Sequence, residues 1–459
     1  MAADRSGGVT RPPRLALLVF GTARFDSRTW RVARSALRAG YQVVVYARWE
    51  PGLPRDAVED GIRIVRVAVP ARQLVLRPTS RVTLRIPRLR PRRARPTTRP
   101  GPALGSVPVH SASSASTPDL GHGDAGTPRA RFGSIRQWLR FPHSILPWAA
   151  ALDRVVEPAD LWHGRLVGGL PAAVRQARRL GGAAIYDSGD VYVQSRELAQ
   201  GGLYARLVAR AERRWARRCA AVLTVNEPFA RLLERQLRVP PPTVVMNCPE
   251  RYEVPEPRPD LIRKALGLSP STRVALYQGG LMTGRGVEQA MDAVLQVRDT
   301  VLAILGFGAS RGEIVRRAAS PRYEGRVHVL QPVSPAALLD WSASADVAVM
   351  PIQDTSANHR YATPNKLFEA IAAGTPVVAS DLPGMSTIVR PAGAGVLVDP
   401  FDPGDIARGL REVLDAVPED REQMRQRCLA AARDRFNWEA QEGALLAVYR
   451  RLLETVMRR

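Results

Sequence analysis

A chain of 459 residues with 45% hydrophobic content can build two cores, and its formal charge of +24 points to anionic partners. Its three cysteines, Cys219, Cys248 and Cys428, lack the number and spacing of a disulfide framework or a metal site, so buried thiols are expected. There is no run of about 18 apolar residues and no charged-then-apolar leader, which argues against a spanning helix and a secretory signal and makes a cytoplasmic location the expectation.

The positive charge is concentrated. Residues 71–140 hold 14 arginines against Asp119 and Asp124, half of the surplus, and across the chain only Lys264 and Lys366 are lysines. An arginine bias that strong reflects genome composition more than chemistry.

After a polar leader, Leu15–Phe20 reads as a buried strand, 21–28 as a loop, the next stretch as a helix ending near Gly40, and Tyr41–Tyr46 as a second strand. Together they make one βαβ unit whose loop faces the ligand-binding edge of a sheet. Asp26 and Arg28 in that loop are acceptor-side candidates; helix capping by Asp26 or Ser27 is the plainer alternative. Asp60-Gly61 marks a turn before a strand Ile62–Val69.

From 71 to 134 the composition shifts to Arg, Pro, Ser, Thr and Gly, an insertion expected to be largely disordered. Peripheral contact of 71–140 with anionic lipid on the inner membrane face, at roughly 1 kcal/mol per basic residue, and a plain solvated linker both fit. Nucleic acid is not expected, because within this insertion no aromatic residue able to stack a base occurs before Phe132. Ser134–Val156 reads as broken helix whose Trp138, Leu139, Phe141 and Trp148 offer apolar surface for an acceptor entrance or a membrane.

Asp160–His163 reads as a strand end, with Gly168-Gly169-Leu170 opening the next helix; His163 is either a hydrogen-bonding site residue or a packed core histidine. Ala183–Tyr186 enters a loop carrying Asp187 and Asp190, each able to accept a proton or to cap the loop. Strand Ala220–Val225, helix Pro228–Arg238 and Val244–Pro249 complete a domain of residues 1–250, and 251–259, with its run Pro255–Pro259, is the linker. A second domain, 260–435, opens with helix Leu261–Leu266, strand Val274–Gln278 and the glycine-rich loop 279–287, whose backbone can approach a ligand closely. Strand Val301–Leu305 with Gly306-Phe307-Gly308, and the segment Val327–Val333, follow.

His359 to Asp381 reads as loop, helix, turn and strand. Thr363 is the expected N-cap, Pro364 the first helical residue and Gly374 the C′ glycine, for a helix of about three turns. Lys366 and Glu369 share a face next to the open amides, a natural anion site, and Pro376–Ser380 is a buried parallel strand.

Asn365–Ala370, Gly374–Ser380, Gly393–Pro400 and Ala345–Pro351 closely resemble the donor-binding segment of retaining glycosyltransferase family 4, in a Pro-Asn-Lys-Leu-Phe-Glu variant similar to bacterial surface-polysaccharide enzymes. The resemblance implies an α/β GT-B fold, two Rossmann-like domains facing a cleft, with 436–459 crossing back to the first. It implies a nucleotide-diphosphate sugar as donor, no cofactor and no metal; the chain has no Asp-x-Asp pair. Glu369 would bind the donor ribose. Arg285 would take the place of the loop lysine on the diphosphate, with Gly280 where relatives carry an arginine and Lys366 supplementing; Thr363, Pro364 and Asn365 line the same site. Leu330 and Gln331 would meet the base through backbone groups. Tyr361 stands where many members have a second glutamate, and Gly189 and Asp190 where relatives have a histidine, which leaves Asp187, Asp190 and His163 as catalytic candidates beside Arg285 and Lys366. A sugar-nucleotide 2-epimerase of the same fold, and a catalytically silent basic scaffold, are the rival readings.

Overall fold

The computed structural model describes residues 11–24, 26–70, 141–191 and 202–458. The insertion expected at 71–134, its lipid contact, and Trp138 and Leu139 lie outside the described residues.

The first sheet has the order β3-β4-β2-β1-β5-β6-β7-β8, formed by β1 (Arg14–Val19), β2 (Gln42–Arg48), β3 (Asp56–Glu59), β4 (Ile62–Val67), β5 (Leu161–Arg165), β6 (Ala183–Asp187), β7 (Ala221–Thr224) and β8 (Thr243–Val244). Its central strands β1, β5 and β6 are buried almost throughout, as parallel strands covered on both faces are, whereas the edge strand β3 is polar and largely exposed. Only β3 runs antiparallel, paired with β4 through the turn at Asp60 and Gly61, both in the left-handed region with φ of 51° and 76°. That is a two-residue hairpin whose twist suits the flanking strands. The strand expected at Ile62–Val69 stops at Val67.

The second sheet, β11-β10-β9-β12-β13-β14, consists of β9 (Arg273–Gly280), β10 (Thr300–Phe307), β11 (Val327–Leu330), β12 (Val347–Met350), β13 (Val377–Ser380) and β14 (Gly395–Val398), all parallel. Counted from β9, the order is 3-2-1-4-5-6, the doubly wound arrangement with a switch point between β9 and β12. In the first sheet the corresponding reversal falls between β1 and β5. Loops leaving those four strands therefore border the two crevices where ligands bind in such sheets.

The helix Trp438–Met457 leaves the second domain and buries Trp438, Leu445, Val448, Tyr449 and Leu452 against Leu15, Leu17 and Ile185 of the first. Trp438 Nε1 donates to Ser35 Oγ at 2.8 Å, fixing the start of that crossing. Trp148 is fully buried, edge-on to Phe20 and clustered with Leu18 and Trp162. The surface expected of this tryptophan is absent because the short helix Leu146–Ala151 folds it into the core. Cys248 and Cys428 are buried and Cys219 half-buried. Among the described residues, no helix is long and apolar enough to cross a membrane.

Candidate active site

The helix expected to start at Thr363 runs Asn365–Ala372, with Pro364 as N-cap. Its eight residues make little more than two turns at about 3.6 residues each. Thr363 does not cap it: Thr363 Oγ1 instead accepts from Asn226 Nδ2 at 3.2 Å, while the same amide donates to Tyr361 O at 2.7 Å. An asparagine of the first domain thus takes the hydroxyl that would have capped the helix. Gly374 does occupy C′, with φ of +67°. Leu367, Phe368 and Ile371 are fully buried, which presses the helix onto the core and orients its remaining face toward the first domain.

Lys366 is the most telling residue on that face. Its side chain is buried, its Nζ has no hydrogen-bond partner, and the ammonium lies 3.9 Å from the centroid of the Tyr277 ring. Burial pushes its pKa down to about 7, and the nearby Arg285 adds to the shift while Glu369 opposes it. A buried cation without a hydrogen bond is costly unless something supplies acceptors, and a ring face compensates only in part.

Glu369, one turn on, accepts at Oε2 from Gln278 Nε2 at 2.5 Å. Burial raises its carboxyl above the usual range; the Gln278 hydrogen bond, Arg31 and Lys366 pull it back. Gln278 accepts in turn from Ser342 Oγ at 2.6 Å. Arg31, on the helix Ser27–Arg38, donates to Asn247 Oδ1 at 2.8 Å, and Asn247 Nδ2 donates to Asn365 Oδ1 at 2.9 Å, so first-domain residues reach the start of the donor-side helix.

The loop after β9 carries Arg285, half-buried, with Gly284 and Gly286 in the left-handed region. A Cβ on Gly286 would sit 1.9 Å from Pro351 O, so no other residue fits where this loop presses on the one leaving β12. Gly280 ends β9 beside Phe307. Leu330 O accepts from the Arg311 guanidinium at 3.2 Å, and the exposed Gln331 accepts from the same group at 3.4 Å.

The first-domain candidates separate. Arg28 and Asp187, 1% and 0% exposed, form a bidentate pair at 2.7 and 2.9 Å, and Arg28 also donates to Val245 O. Burial alone would raise the Asp187 carboxyl, but Arg28, Arg165 and His163 hold it well below the usual carboxylate range. His163, equally buried, shares a 2.7 Å hydrogen bond with Tyr449 Oη through Nδ1 and places Nε2 3.3 Å from Asp187. These three tie the helix Ser27–Arg38, β5, β6 and the crossing helix together. Arg28 as an acceptor-side group and Asp187 and His163 as catalytic groups are therefore corrected: they are enclosed and engaged with one another. Asp26 accepts from Thr29 N and Thr29 Oγ1 and caps its helix.

Asp190 is different. Solvent reaches it, yet the protein packed around it raises its carboxyl above the usual range, with Asp26 adding to the effect while Arg165 and Arg285 counter it. Arg285 belongs to the second domain, so Asp190 lies where the two crevices meet. Its loop is held there by Asn358, which accepts from Val191 N at 2.7 Å and donates to Val191 O at 3.3 Å.

Gln278, Tyr277, Arg31, Arg165, Asn226, Asn247 and Asn358 were not singled out from sequence. Arg31 had one signal, its three-residue spacing from Arg28 on the same helix face; the asparagines had none. Among the described residues no group of three or more His, Cys, Asp or Glu has the geometry of a metal site.

Residues 272–416 match the family described as Glycosyl transferases group 1. A D-inositol 3-phosphate glycosyltransferase of Xylanimonas cellulosilytica is 33% identical over 196 residues, 41% of this chain and 44% of that protein. One from Thermobispora bispora is 30% identical over 252 residues, 51% and 56% of the two chains. This chain thus spans about half the length of the curated relatives it matches. Among solved structures, sucrose-phosphate synthase from Thermosynechococcus elongatus superimposes with a TM-score of 0.70 at 17% identity, covering 97% of this chain and all of that one. Anabaena HepE, solved with UDP and glucose, gives 0.63 at 14% identity, covering 95% and 99%. The two parallel-sheet domains are those of the GT-B fold.

Proposed function

We propose that this chain is a retaining, metal-independent glycosyltransferase, moving a sugar from a nucleotide-diphosphate sugar to a glycan, lipid-linked or small-molecule acceptor in polysaccharide or glycoconjugate biosynthesis. The observation that carries it is Lys366 Nζ, buried and without a hydrogen bond, beside Arg285, Glu369 and the first-turn amides of its helix. A diphosphate supplies the acceptors that this ammonium lacks. As the glycosidic bond breaks, the charge growing on the leaving diphosphate meets cations and amides already in place, an effect worth about 3 kcal/mol per donor in water-poor sites. Glu369 accepts from the ribose hydroxyls, and Asp190 is the acceptor-side carboxylate, its proton affinity raised above that of an ordinary carboxylate by the protein packed around it. Domain boundaries at 1–250, 251–259, 260–435 and 436–459, and peripheral contact of 71–140 with anionic lipid at the inner membrane face, belong to the same reading. The names of the relatives make a phosphorylated cyclitol one acceptor to include.

Thermal unfolding with UDP, GDP and ADP, on full-length protein, Glu369→Ala and a deletion of 71–134, tests it. Protection of about 2.7 kcal/mol at a hundredfold excess over Kd is expected in the first and third and not in the second. No protection by any nucleotide would sink the enzyme reading. Incubation of nucleotide sugars without acceptor should release free sugar slowly; an epimerised sugar nucleotide would favour the rival enzyme.

A further inference from the structure

Glu369 has an anchor that is not itself positioned to react. Gln278, at the end of β9 and 6% exposed, links Glu369 Oε2 at 2.5 Å to Ser342 Oγ at 2.6 Å. Ser342, 1% exposed on the helix Leu338–Ala343, is held by Thr375 Oγ1, which donates to its carbonyl at 2.8 Å. With Ser342 donating to the amide oxygen of Gln278, the NH2 group must face the carboxylate; a flipped amide would set oxygen against oxygen. The hydrogen bonds among the described residues engage Oε2 and leave Oε1 open.

We propose that Gln278 is a positioning residue for ribose recognition: it holds the Glu369 carboxylate in one rotation with Oε1 presented to the ligand, so that preference for ribonucleotides over 2′-deoxyribonucleotides passes through it. The inference rests on the reading of Glu369 as the ribose acceptor. The charged groups facing Glu369 are Arg31 from the first domain and Lys366 from its own helix; neither has a hydrogen bond to it. Gln278 therefore supplies the direction of the carboxylate and the largest of the effects that oppose the upward push of burial.

Calorimetric titration of wild type, Gln278→Met, Ser342→Ala and Glu369→Ala with UDP, GDP and their 2′-deoxy forms, between about pH 5 and 7.5, tests it. Wild type should prefer the ribo form about tenfold, the loss typical of one hydrogen bond to a charged group. Gln278→Met should weaken the ribo form about tenfold, leave the deoxy form within about twofold, and move the acid-side loss of ribo binding to higher pH. Ser342→Ala should shift both in the same direction by less. An unchanged ribo-to-deoxy ratio in Gln278→Met, with ribo binding lost in Glu369→Ala, overturns the positioning role alone, as does equal weakening of both forms. Absence of nucleotide binding by wild type overturns this role together with the reading beneath it.

Discussion

In the first domain Arg28 and Asp187 complete each other's hydrogen bonds and Tyr449 engages His163 Nδ1, leaving only His163 Nε2 unbonded at 3.3 Å from Asp187, whereas at the strand ends of the second sheet Lys366 faces only a ring and Arg285 crowds it. Both clusters are buried and both shift pKa values, so shifted titration alone does not separate architecture from chemistry. Partners do. A buried charge whose hydrogen bonds are complete holds strands in register; one left without acceptors marks where an anion belongs.

The comparison is broken most sharply by removing one charge from each side. Asp187→Ala leaves Arg28 buried without its carboxylate, and equilibrium unfolding should show a loss of about 3–5 kcal/mol. Asp187 is an acid held low in the fold, so its contribution is present above the unfolded value near 3.9 and disappears as pH falls through the folded value; acid unfolding of wild type should converge with that of the mutant at the low end.

Lys366→Met should do the opposite, keeping or raising stability while cutting turnover about a hundredfold. Because the folded pKa lies near 7 and the unfolded one near 10.5, the unfolded chain binds the extra proton between them. Stability of wild type should therefore rise relative to Lys366→Met from about pH 7 to 10, and nucleotide affinity should fall as the ammonium is lost. A mutant as damaged in stability as Asp187→Ala would erase the distinction between the two clusters.

The smallest effect is expected at the seam. Asn358→Ala removes two hydrogen bonds to Val191 and frees the loop carrying Asp190. KM for the acceptor should rise several-fold, with a stability change of about 1 kcal/mol. An unchanged KM would mean that Asp190 needs no such support.

Much of the fold was legible locally. The apolar runs at 15–20 and 377–380, the turn at Asp60-Gly61 and the glycine after Ala373 each carry their own signal, because strands buried on both faces and left-handed turns restrict residue type position by position. The donor-side segment was legible through resemblance, and Glu369 and Lys366 share a face as their spacing requires. What failed were roles that depend on distant neighbours. Thr363 looks like a cap until Asn226, 137 positions away, takes its hydroxyl, and Asp187 looks like a loop carboxylate until Arg28, 159 positions away, encloses it.

The chain's own order of residues determined which segments become strands and helices and which side chains share a face, since periodicity and backbone preference act over a few residues. Only the folded arrangement decided which charges would find partners. Burial and pairing arise when separate segments meet, and that meeting completes the hydrogen bonds of Arg28 and leaves the ammonium of Lys366 waiting.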